Sequence, residues 1–120
     1  MKRYSEHHVW VDKNSEGDFV MGVTKHAIDE LGTVAYFEGD LGSLPKDDSI
    51  GTIESNKTVA DIHAPMDMSV REINENIDYD KLNSDPENVE ESWLFKIVPD
   101  DISGLTSLMD EEAYKAFCIK

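Results

Sequence analysis

The stretch Glu54-Ser55-Asn56-Lys57-Thr58-Val59-Ala60-Asp61-Ile62-His63-Ala64-Pro65 decides how this chain is read. Together with the residues before it, it makes two β-like runs, Ser49 to Ser55 and Thr58 to Ala64, separated by Asn56 and Lys57. Two residues between alternating runs is hairpin spacing. With Asn56 and Lys57 as the central pair, Ser55 faces Thr58, Glu54 faces Val59, Ile53 faces Ala60 and Thr52 faces Asp61. Gly51, Ile53, Ala60, Ile62 and Ala64 then share one mostly apolar face, and Thr52, Glu54, Asp61 and His63 share the other, as a half-buried sheet requires. A type I′ turn needs positive φ at both central residues; Asn56 tolerates it, whereas in Lys57 it is unusual. The consequence is chemical: one lysine sits at a hairpin tip, where its ammonium clears both strands and a large enzyme can engulf it.

Outward from the hairpin, runs rich in Val, Tyr, Phe and Trp predict strands near His8 to Val11, Phe19 to Val23, Thr33 to Phe37, Met68 to Ile73 and Trp93 to Val98. Thr24 offers an N-cap hydroxyl, with Ala27, Ile28 and Leu31 at helical spacing and Gly32 as the stop. Gly39 to Asp48 reads as a loop, and Asn74 to Ser92 as an acidic connection with a short helix at its middle. Asp100-Asp101 and Asp110 offer caps to two last helical segments, the second placing Ala113, Tyr114 and Phe117 on one face. Six or seven short strands with brief helices predict one domain over residues 1–120, a small β-sandwich or flattened barrel with α decoration.

Charge narrows the function. With 26 Asp and Glu against 11 Lys and Arg, the 120-residue chain carries a net charge of −15. That balance disfavours nucleic acid and anionic membrane surfaces and suits protein partners with basic faces. Cys118 is the only cysteine, which is read as excluding an intramolecular disulfide, a CxxC redox pair and a cysteine-based zinc site, so no metal site is expected. The N-terminus runs into His7-His8 rather than an apolar stretch, and no segment has the roughly 18 apolar residues of a membrane span, so a cytoplasmic protein is expected. His7 and His8, adjacent on a strand, would point to opposite faces, and His26 and His63 have no cysteine beside them or HExxH-like spacing, so structural or surface roles are expected for all four. Trp10, Trp93, Phe95 and Phe37 read as core aromatics, and Ser55 lacks the partners of a hydrolase nucleophile.

The hairpin segment resembles the lipoyl-attachment motif, in which a glutamate precedes the modified lysine by three residues and an acidic residue, an aliphatic residue and a proline follow. Glu6-His7-His8-Val9-Trp10-Val11, Gly22-Val23-Thr24, Leu31-Gly32, Ile53-Glu54-Ser55, Asp61-Ile62, Ala64-Pro65, Glu72-Ile73-Asn74, Trp93-Leu94-Phe95-Lys96-Ile97 and Asp110-Glu111-Glu112-Ala113-Tyr114 resemble, in order and spacing, the H proteins of the glycine cleavage system. The resemblance implies a mainly β, lipoyl/biotinyl-carrier-like flattened barrel (a barrel-sandwich hybrid) with a C-terminal helix, monomeric and non-catalytic. It implies lipoate in amide linkage to Lys57, attached by a lipoate ligase or lipoyltransferase that reads Glu54 and Asp61. The implied partners are glycine decarboxylase, which loads an aminomethyl group, aminomethyltransferase, which passes its carbon to tetrahydrofolate, and dihydrolipoamide dehydrogenase, which reoxidises the dithiol. Where the family usually has glycine after Ala-Pro, this chain has Met66-Asp67; keeping a glycine backbone conformation there would cost about 1 kcal/mol unless Asp67 takes the turn position.

Lys57-Thr58-Val59 and Gly32-Thr33-Val34 also resemble a divergent H-like branch, in which a macrodomain-linked sirtuin ADP-ribosylates the lipoylated protein. That resemblance implies an alternative, a redox-regulatory protein, with Asp29 and Glu30 as candidate acceptors. A biotinyl carrier is disfavoured, because biotin sites flank the lysine with methionines and the flanks here are Asn56 and Thr58.

Overall fold

The computed structural model describes residues 2–85 and 89–119. Among the described residues nine strands run in the order β1 (Arg3–Tyr4), β2 (Val9–Lys13), β3 (Phe19–Val23), β4 (Val34–Gly39), β5 (Gly42–Leu44), β6 (Ser49–Ser55), β7 (Val59–His63), β8 (Met68–Ile73) and β9 (Phe95–Pro99). Three helices, α1 (Lys25–Leu31), α2 (Tyr79–Ser84) and α3 (Glu111–Ile119), and 3₁₀ turns at Val89–Glu91 and Ile102–Ser107 connect or flank them. All pairings are antiparallel; one sheet has the order β1-β2-β3-β9-β8-β5 and the other β4-β6-β7. The two sheets enclose a core in which Phe37 from the small sheet meets Phe95 from the large one edge to face, centroids 5.6 Å apart. This is the flattened barrel expected, with a C-terminal helix.

Strand β2 is buried on both sides. Val9 and Val11 enter the main core, whereas Trp10 points outward into a second cluster with Tyr4, Val20 and Tyr114. Helix α3 covers that outer face, its Tyr114 ring stacked on Tyr4 at 4.5 Å. Phe117 and Cys118 flank Tyr114 there, while Ala113 is exposed, so the buried face of α3 is one position removed from the expected one.

The local signals behave as expected. Thr24 Oγ1 accepts from Ala27 N–H at 3.3 Å, Gly32 closes α1 with its N–H on Ile28 O, Asp101 Oδ1 accepts from Ser103 N–H and Asp110 Oδ1 from Ala113 N–H. Three features differ. The loop from Gly39 to Asp48 contains β5, which pairs with β8, and β1 precedes the first expected strand. His8 is not part of a strand; it holds φ 64 in the turn before β2. The segment from Pro65 to Met68 contains no left-handed residue, so the missing glycine leaves no backbone strain; Asp67 Oδ1 accepts from Lys46 N–H, and Met66 and Met68 are buried. The acidic connection holds α2 and a 3₁₀ turn, with residues 86–88 lying outside the described part.

Candidate functional site

The β6–β7 hairpin forms in the expected register, Glu54 opposite Val59, Ile53 opposite Ala60 and Thr52 opposite Asp61. Ile53, Ile62 and Ala64 are buried, while Glu54 and Asp61 are exposed. A bulge between Ser49 and Gly51 turns Ile50 inward as well, so β6 buries one more apolar residue than strict alternation allows.

The tip differs from the expected primed turn: neither Asn56 nor Lys57 has positive φ. The Ser55 side chain does the work instead. Its Oγ accepts from Lys57 N–H and Thr58 N–H, both at 3.2 Å, while Ser55 N–H donates to Thr58 O at 2.8 Å. A hydroxyl that gathers the N–H groups two and three residues ahead closes the turn without left-handed backbone. Ser55 is buried at 8 % exposure, and Lys57 is exposed beyond it.

A second segment buttresses the tip. Asn56 N–H donates to Thr33 O at 2.9 Å, which draws the hairpin onto the end of α1. Gly32 stands there with φ 90 and ψ −151, backbone that is essentially confined to glycine, and a Cβ on it would lie 2.9 Å from Asn56 Oδ1 and 3.0 Å from Lys57 Cε. The lysine stem therefore lies along a surface with no side chain.

From Thr58 a cleft of about 280 Å³ runs between α1 and β7 to His7 and His8. Ala27, Leu31, Ile53 and Ala60 make its walls apolar, and Glu30 and Asp61 stand at its edges. His7 and His8 both border it, contrary to the opposite faces expected of strand neighbours, because the positive φ of His8 breaks the alternation. Burial, with His26 beside it, holds the His8 imidazole below its usual pKa. His7 lies against His63, ring centroids 4.6 Å apart, and His63 Nδ1 is 2.8 Å from Asp47 O. Asp61 Oδ1 accepts from Ser49 Oγ at 3.1 Å. Asp29 is paired with Lys25 at 2.7 Å and Glu30 with His26 at 3.0 Å, both carboxylates being exposed. The structure thus brings Lys57, Ser55 and Gly32 together at the hairpin tip; Gly32 is legible in the sequence as a helix cap, whereas neither it nor the strand residue Ser55 is legible there as a support of the lysine.

Two antiparallel sheets forming a flattened barrel, with Lys57 exposed at a hairpin tip, define the barrel-sandwich class of small β domains. The family model "Glycine cleavage H-protein" matches residues 2–120. The chain is 38% identical to the glycine cleavage system H protein of Thermotoga maritima, with 98% of this chain and 96% of that one covered, and 40% identical to the H protein of Acinetobacter baumannii, with 95% and 93% covered. The crystal structure of an H protein from Mycobacterium marinum superposes with a TM-score of 0.76 at 23% identity, covering 96% of this chain and 94% of that one, a likeness of fold. The chain belongs to the glycine cleavage H-protein family.

Proposed function

We propose that this protein is the lipoyl carrier of the glycine cleavage system, with lipoate attached to Lys57. Family membership supports the system, and one observation carries the residue: Lys57 extends from a turn closed by Ser55 and pressed against Gly32, exposed and beyond the reach of the core. Glu54 and Asp61 flank it on the exposed face of the hairpin, accessible to the lipoate ligase or lipoyltransferase that must distinguish this lysine from eight others. The carrier needs no acid, base or nucleophile of its own. A tethered arm makes each transfer effectively intramolecular within whichever enzyme is docked, glycine decarboxylase, aminomethyltransferase or dihydrolipoamide dehydrogenase. The cleft beginning at Thr58 offers apolar walls to an aliphatic arm folded back between visits.

The test is intact mass after coexpression with a lipoate ligase, followed by incubation with glycine, glycine decarboxylase and pyridoxal phosphate. The expected result is a lipoyl adduct and then an aminomethyl adduct, both lost in a folded Lys57→Arg protein. A lipoyl adduct surviving Lys57→Arg would move the site to another lysine. A lipoylated protein that a competent decarboxylase never loads would remove it from glycine cleavage.

A further inference from the structure

Three side chains far apart in sequence converge on the side of the molecule where α1 meets α3. His8 comes from the turn before β2, His26 from the first turn of α1 and Cys118 from the last turn of α3, and one ligand atom from each lies within 4.8 Å of the other two. The His8 and His26 rings are 4.3 Å apart between centroids. We propose that His8, His26 and Cys118 form a binding site for a borderline-soft transition-metal ion, with Zn²⁺ the ion their chemistry fits best.

The donor set selects the metal. Two imidazole nitrogens and one thiolate are the ligands of zinc and its neighbours and are poor ligands for calcium or magnesium, which take oxygen. Tetrahedral bonds of about 2.0 to 2.3 Å place ligand atoms roughly 3.3 to 3.8 Å apart, so the three must draw in by about 1 Å. The half-buried His26 imidazole, stacked on His8 and paired with the exposed Glu30, supplies that movement through its χ angles.

The other two ligands are braced. Tyr114 precedes Cys118 by one helical turn, is buried and stacks on Tyr4, which fixes the end of α3. The Tyr114 hydroxyl lies 2.7 Å from His8 Nδ1 and 2.7 Å from Oγ1 of Thr24, a fully buried residue that also caps α1. With Nδ1–H donating to the Tyr114 oxygen, His8 keeps the Nε2 lone pair for a metal; such an outer partner is what holds metal-bound imidazoles in orientation. His8 also occupies backbone space, φ 64, that a side chain rarely adopts, and that conformation brings its ring to α1 and α3. Glu30 Oε1, 3.0 Å from His26 Nε2, places a carboxylate at the edge of the site. Three protein ligands leave a fourth position open, the composition of sites that bind exchangeable metal or a further ligand.

The experiment uses the tag-free full chain carrying Lys57→Arg, in which Cys118 is the only thiol whatever Lys57 otherwise bears. Titration with Zn²⁺ by calorimetry is expected to show one equivalent bound, and Co²⁺ in its place a near-ultraviolet thiolate-to-cobalt charge-transfer band. Cys118→Ser should abolish the band, and Cys118→Ser and His26→Ala should each weaken Zn²⁺ at least about tenfold. Both residues are partly exposed, so these variants remain folded even if His8→Ala does not. Ring-nitrogen NMR shifts should move for His8 and His26 and stay for His7 and His63. Absence of one-equivalent binding, an affinity in either variant equal to that of the parent protein, or shifts confined to His7 and His63 would each overturn the assignment.

Discussion

Gly32 and Lys57 are in van der Waals register across the mouth of the hairpin: a Cβ at position 32 would stand 3.0 Å from Lys57 Cε and 2.9 Å from Asn56 Oδ1. The end of α1 and the tip of β6–β7 thus form one unit. Two penalties fall on any side chain placed there, the steric one and the glycine-only backbone.

Gly32→Ala should therefore destabilise the protein by about 1 to 3 kcal/mol, from backbone strain, and displace the tip. Urea unfolding measures the first effect. The second is measured by the rate of lipoyl attachment, which should fall while Gly17→Ala, whose Cβ would meet open space, leaves it unchanged.

Ser55→Ala should cost about 1 kcal/mol, because the lost acceptor serves two backbone amides that turn partly to water. Amide hydrogen exchange at Lys57 and Thr58 should accelerate, and exchange at Ile53 should not. Unchanged protection at the tip would mean that the hydroxyl does not close the turn.

Asn83 on α2 mimics a paired strand: its side chain accepts from Val34 N–H and donates to Val34 O, both at 2.8 Å. Val34 is buried at the bulged start of β4, so Asn83→Ala leaves its backbone without partners and should cost roughly 1 to 3 kcal/mol. Thermal unfolding reads this directly, and Asn83→Asp should rescue little, since a carboxylate cannot donate to Val34 O.

A net charge of −15 should speed encounter with enzymes that present basic faces. Salt screens such steering over about 8 Å at physiological strength, so the association rate with aminomethyltransferase should fall as salt is added while the dissociation rate changes less. A flat salt profile of the association rate would exclude steering.

What the sequence discloses is what nearest neighbours decide. The register of the hairpin follows from alternation, and the caps at Thr24, Gly32, Asp101 and Asp110 follow from side-chain oxygens and a missing Cβ acting within one turn. The tip departs from the primed turn that two residues between strands imply, because the competing Ser55 hydroxyl is visible only as geometry. Strands as short as β1 and β5 carry no period to detect; each exists because a partner strand lies beside it. The meeting of His8, His26 and Cys118 has no sequence spacing at all, since helix packing creates it, whereas the sequence reading of metal sites rests on spacing and a cysteine count.

Tyr4 and Tyr114 stack near opposite ends of the chain, and Tyr4 also exchanges backbone hydrogen bonds with Met109. During synthesis the first strand emerges long before the helix that covers it. Until α3 leaves the ribosome, the outer side of β2, including Trp10, has no cover, and it is open to chaperones or to a neighbouring nascent chain. Completion of this small domain is thereby deferred until α3 has been made, and a chain stalled before that point would carry a sticky aromatic face as the mark of its incompleteness.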